Sequence, residues 1–149
     1  MWKHGLITIL TAALLIGCKG SSQEIYYTPP ALAEEWTVNM TQSGGIMGMM
    51  RSIEVASDGN YVTTDERAHT SVTGKLTEQE LSQFEGLVSS FNFTPPEIGA
   101  VCADCFVYDI EIQSGGQKMI LKTEDISLPD SGIEPFVDFL RKIMDEALN

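Results

Sequence analysis

Positive charge is scarce in this sequence: 9 Lys and Arg stand against 21 Asp and Glu, for a net charge of −12 and a pI near 4.4. A chain this acidic is repelled by phosphate backbones, which removes nucleic acid from the set of partners. Histidine is scarce too, since only His4 and His69 occur. There is no Gly-x-Ser-x-Gly elbow, no glycine-rich phosphate loop and no two-histidine zinc motif. Cysteine occurs three times, at Cys18, Cys102 and Cys105. The longest apolar run, residues 6–16, is too short for a stable transmembrane helix. What is present is enough for one folded unit: 149 residues, 43% hydrophobic and 20% charged, the composition of a chain with a core.

The first segment reads as an address. Met1-Trp2-Lys3-His4 carries positive charge, and Leu6 to Ile16 has the length of a signal-peptide hydrophobic region. The run closes on Leu15-Ile16-Gly17-Cys18, which resembles a bacterial lipobox. There the small residue before the cysteine admits the signal peptidase, and the thiol of Cys18 receives diacylglycerol. Two or more acyl chains hold a protein at a membrane far better than one. Removal of residues 1–17 takes away only Lys3, so 8 bases remain against 21 acids, a charge of −13. Such a body is pushed away from an anionic lipid surface. Residues 18–35, with Gly20-Ser21-Ser22 and Pro29-Pro30, read as a tether reaching at most roughly 55–60 Å. The expectation is an extracytoplasmic domain of residues 36–149, lipid-anchored to a bacterial membrane.

Within that domain Trp36, Val38 and Met40 alternate with polar residues, the period-two pattern of a half-buried strand. A second strand runs from about Met49 to Ala56; Arg51 falls on its apolar face, which suggests a bulge or a sheet edge. Asp58-Gly59-Asn60 is a hairpin turn into a strand at Tyr61 to Asp65, and Glu66 to Gly74 is either its extension or a loop. Thr77 and Glu80 form a capping box ahead of a helix with Leu81, Phe84, Leu87, Val88 and Phe91 on one face. Phe106, Tyr108, Ile110 and Ile112 mark a strand, and Gly115-Gly116 turns it into another with Met119 and Leu121 inward. A closing helix carries Ile133, Phe136, Val137, Leu140, Ile143 and Met144, with Pro135 tolerated in its first turn. The order β-β-β-α-β-β-α predicts an α+β fold, an antiparallel sheet of four to five strands with two helices on one face.

Five features bear on chemistry. Cys102-Ala103-Asp104-Cys105 is the most specific. A redox-active pair would sit at a helix N-terminus after a strand, whereas here a strand follows. Half a zinc site would need two further ligands. A structural disulfide suits an oxidising compartment, closes a four-residue loop worth only about 2 kcal/mol in the entropic account, and is the favoured reading. Its expected purpose is to pin the crossover from Pro95 to Val101. Asp109 and Glu111 share a strand face and read as its solvated side rather than an acid–base pair. Asp58, Asn60 and Asp65 lack the spacing of a calcium loop. His69, in a polar run, reads as a surface residue. The last feature is Gly44-Gly45-Ile46-Met47-Gly48-Met49-Met50. It is either a hairpin turn feeding methionines into the core or an exposed wedge that enters a partner's cleft.

Several motifs in order resemble the emfourin family: the strand ending in Ser43-Gly44-Gly45 with Gly48 beyond it, the helix closing on Phe91-Asn92-Phe93-Thr94-Pro95, the strand Phe106-Val107-Tyr108-Asp109-Ile110, and the last helix after Leu128-Pro129. Emfourins are small protein inhibitors of thermolysin-like metalloproteases, and the similarity spans about Trp36 to Met144. The resemblance implies a non-enzymatic binder that blocks a zinc protease cleft and carries no cofactor or metal itself. Its contact loop, Ile46 to Met50, is chosen from the residues and not from the family. The lipobox and the Cys102–Cys105 pair depart from the simplest members and place the target outside the cytoplasm. The alternative is a structural or envelope-assembly lipoprotein with another protein partner.

Overall fold

Alternating apolar side chains need a second layer to cover them, and the last helix supplies much of it. A computed structural model describes residues 28–96 and 102–149. Its elements are β1 (Trp36–Gly44), β2 (Met49–Ala56), β3 (Asn60–Asp65), β4 (Thr70–Lys75), α1 (Glu78–Ser90), β5 (Phe106–Ser114), β6 (Gln117–Glu124) and α2 (Glu134–Leu148). The six strands form one antiparallel sheet in the order β4-β3-β2-β1-β5-β6.

The α+β architecture agrees with the sequence pattern, but the strand count does not. The polar stretch after Asp65 is a turn followed by a sixth strand, β4. Only Val72 and Gly74 of β4 are even half-buried, so no alternation betrays it. Backbone pairing with β3, in register from Asn60↔Lys75 to Asp65↔Thr70, holds it in place. Tyr61 lies over Gly74, where a Cβ would collide with its ring.

Arg51 departs from expectation as well. It sits on an interior strand in regular register, opposite Gln42 on β1 and Asp65 on β3, with neither bulge nor edge. Its guanidinium is accommodated because Nε meets Asp65 at 3.0 Å and Nη1 meets Asp145 of α2 at 3.2 Å. A charge on a core-facing position is tolerated when it is paired.

The core lies between one sheet face and the two helices. Val38, Met40, Ile53, Val55, Tyr108, Ile110, Ile112 and Leu121 from the sheet are buried together with Phe84 and Val88 of α1 and Phe136, Val137, Leu140, Ile143 and Met144 of α2. Phe84 is the hub, with its ring centroid 5.7 Å from Trp36, 5.6 Å from Phe136 and 5.5 Å from Phe139. Full burial of each such side chain is worth about 1.5–3 kcal/mol. The Thr77–Glu80 capping box is formed, with the Thr77 Oγ1 accepting from Glu80 N–H at 3.2 Å and Glu80 accepting from Thr77 N–H at 2.8 Å. The Thr77 N–H foremost, and then the Thr77 hydroxyl, which donates to the same carboxylate at 2.8 Å, hold the Glu80 carboxyl below its usual pKa.

As far as residue 27 the expected tether lies outside the described residues. Its last part is not free: Ala33 N–H donates to Ser114 Oγ at 2.7 Å, and that hydroxyl donates to the Ala31 carbonyl at 3.0 Å. Pro29 is buried and Leu32 packs against the core. Ser114, a small polar residue on the core side of β5, is the reason this segment docks. Among the described residues no helix is long and apolar enough to cross a membrane.

Candidate functional site

The β1–β2 hairpin closes through Gly45-Ile46-Met47-Gly48, with the Gly48 N–H donating to the Gly45 carbonyl at 2.9 Å. Gly44, Gly45 and Gly48 all have positive φ, at 111°, 69° and 58°, which side chains resist. The turn puts Ile46 and Met47 into solvent at 85% and 74% exposure; Met50 follows at 49%, while Met49 is half-buried. The core methionines are Met40, Met119 and Met144, so the tip does not exist to feed the core.

Two elements hold the tip. The Gly45 N–H donates to the Cys105 carbonyl at 3.1 Å, next to the Gly44↔Phe106 end of the β1–β5 ladder. On the other side the Arg67 guanidinium donates to the Met47 carbonyl. Arg67 lies in the β3–β4 turn, which the Asp65 carboxylate organises by accepting the N–H groups of Arg67 and Ala68 at 3.0 and 2.9 Å. Those bonds, the Ala68 one first, and the Arg51 contact keep the Asp65 carboxyl below its ordinary range. His69 closes the same turn with φ +53°, exposed to solvent.

Cys102 and Cys105 are joined in a disulfide, Cα–Cα 5.4 Å, immediately before β5. Residues 97–101 lie outside the described residues, and with them most of the crossover the pair was expected to pin; so does Cys18. Behind the disulfide, Asp125 accepts the Phe106 N–H at 2.9 Å and the Tyr108 hydroxyl at 2.7 Å. Burial first, and that bond second, raise the Tyr108 pKa far above normal. Ile126, next along, is 60% exposed at the same end of the sheet. Cys105 is expected from the sequence as a disulfide partner but not as a contact of the tip, and nothing in the sequence marks Arg67 or Ile126 as part of a site. Exposed apolar residues flanking a strand end are the one signal that could have drawn attention to Ile126.

The remaining sequence candidates are not brought together. Asp109 and Glu111 project from the open sheet face and pair with Lys122 at 3.0 Å and Lys118 at 2.6 Å. Lys118, then Gln113, lowers the Glu111 pKa, which suits a salt-bridged surface and not a proton donor. Asp58 accepts the Asn60 N–H at 2.9 Å inside its turn, while Asp65 belongs to Arg51. Among the described residues no three His, Cys, Asp or Glu side chains are grouped to hold a metal ion. No model of a known protein family matches this chain, and no curated protein matches it.

Proposed function

We propose that the protein is a lipid-anchored extracytoplasmic module that works by binding, without chemistry of its own, and that it inserts its Gly44–Met50 tip into the cleft of a thermolysin-like metalloprotease. The observation that carries the reading is the exposure of Ile46 and Met47 on a hairpin tied from both flanks, by Cys105 and by Arg67. Side chains that water would otherwise drive inward are held outward by backbone geometry. Since the backbone is already ordered, little conformational freedom is lost on docking. Methionine adds a flexible, polarisable surface that moulds to an apolar pocket. The protease class rests on the emfourin-like motifs, and the anchor at Cys18 on Leu15-Ile16-Gly17-Cys18.

Titration of the full-length protein in detergent against a thermolysin-like enzyme tests this. The expected result is saturable inhibition that Met47→Asp weakens about 30-fold or more, since interface anchors of this kind cost upwards of ~2 kcal/mol when lost. Absence of both inhibition and complex at micromolar wild-type protein would withdraw the protease target.

A further inference from the structure

Cys105, whose backbone carbonyl ties the base of the tip, is also one half of the Cys102–Cys105 disulfide. The Cys105 carbonyl accepts the Gly45 N–H at 3.1 Å. Gly44, at φ +111°, lies so close that a Cβ there would overlap the same carbonyl oxygen. A Cβ on Gly45 would come within 2.8 Å of the Phe106 ring. The base of the tip is therefore moulded around the backbone of residues 105 and 106, which the closed Cys102–Cys105 ring constrains on one side and the Gly44↔Phe106 ladder end and Asp125 hold on the other. Ala103 and Asp104 are exposed and both cysteines only half-buried, so a small dithiol can reach the bond.

We propose that this disulfide arms the tip: Ile46 and Met47 are presented in a binding-competent arrangement only while Cys102 and Cys105 are oxidised. Attack by a dithiol breaks the Sγ–Sγ bond through a mixed disulfide. The protein gains two electrons and two protons as two thiols, and the reductant closes to its own disulfide. Residues 102–105 then regain backbone freedom and the Cys105 carbonyl is held less firmly against Gly45, while the ladder, the Asp125 bond to Phe106 and the Arg67 contact remain. The ring is small and lies outside the core, so the effect stays local to the tip. A chain whose cysteines are still reduced would be inert, and oxidation by a thiol oxidant after export would complete the site. The inference rests on the tip as the binding surface.

Hydrogen exchange on the full-length protein in detergent, oxidised and in dithiothreitol, tests the coupling directly. Reduction is expected to speed exchange of the Gly45–Met50 amides about tenfold and to leave those of Val38–Met40 and Ile53–Val55 unchanged. The double variant Cys102→Ser/Cys105→Ser is expected to show the same loosened tip without reductant. Tip exchange altered less than threefold in dithiothreitol would overturn the proposal, as would equal acceleration throughout the sheet, which would make the bond a global staple. Protease affinity measured on the same samples separates the two readings. A loosened tip with no protease bound in either state supports the coupling and removes the target. Unchanged exchange with intact inhibition removes the coupling alone.

Discussion

The two ends of the sheet are built from the same kind of glycine turn and put to opposite use. At one end Gly115 and Gly116, with φ of 56° and 76°, reverse β5 into β6; Ala33 packs beside Gly115, and Ser114 gathers in Ala31 and Ala33. At the other end Gly45 and Gly48 reverse β1 into β2, and the residues between them, Ile46 and Met47, project into water. The first turn is itself exposed and braced at its base by the chain's own N-terminal segment through Ser114, whereas the second is tied at its base by Cys105 and Arg67 and carries apolar side chains at its apex. Polar Ser114, Gln117 and Lys118 flank the first turn, while apolar Ile46 and Met47 occupy the second. Polar residues on an exposed turn are ordinary surface; apolar side chains held on a restrained turn are the feature on which the proposed binding role rests.

The contrast can be broken most sharply at Gly44. Gly44→Ala places a Cβ against the Cys105 carbonyl at a φ that alanine resists, and should cost about 3 kcal/mol. Thermal unfolding should fall by roughly 6–12 °C, with Ala33 amide protection retained at the opposite end. Ser114→Ala is the reciprocal change, removing both hydrogen bonds to Ala31 and Ala33 for about 1–2 kcal/mol. It should release the segment from Thr28 to Glu35 in proteolysis or exchange while the tip stays as ordered as before. The smallest effect is a pH effect. The Asp65 carboxyl has its pKa lowered by folding, so its contribution is complete above the unfolded value near 4 and is lost as pH falls through the lower folded value. Acid should therefore loosen the β3–β4 turn and the Arg67 contact before it disturbs the Ser114 end. Asp65→Asn should flatten that part of the stability-versus-pH curve.

Much of this architecture could be read along the chain because its signals are local. The Thr77–Glu80 capping box, the Asp58-Gly59-Asn60 turn, the alternation in β1 and β5 and the apolar stripe of α2 each depend on residues a few positions apart. β4 was legible only as an ambiguity, because Thr70–Lys75 offers one branched apolar residue and no alternation; the strand exists through bonds to β3. Arg51 looked like a defect in β2 because its partners Asp65 and Asp145 lie 14 and 94 residues away. The tip was visible as a run of glycine and methionine, but whether those side chains faced the core or water was not. Its two restraints, from Cys105 and Arg67, join residues distant in sequence and follow no motif.

Spacing along the chain was enough to settle five of the six strands and both helices, where glycine must turn the backbone and which cysteines lie near enough to join, since each follows from sterics and hydrogen bonding over a few residues. Strand order, the partnering of a charge inside the sheet and the outward set of Ile46 and Met47 were decided in three dimensions. They depend on which surfaces meet when β1 is enclosed between β2 and β5, and that meeting is a cooperative outcome of the whole core.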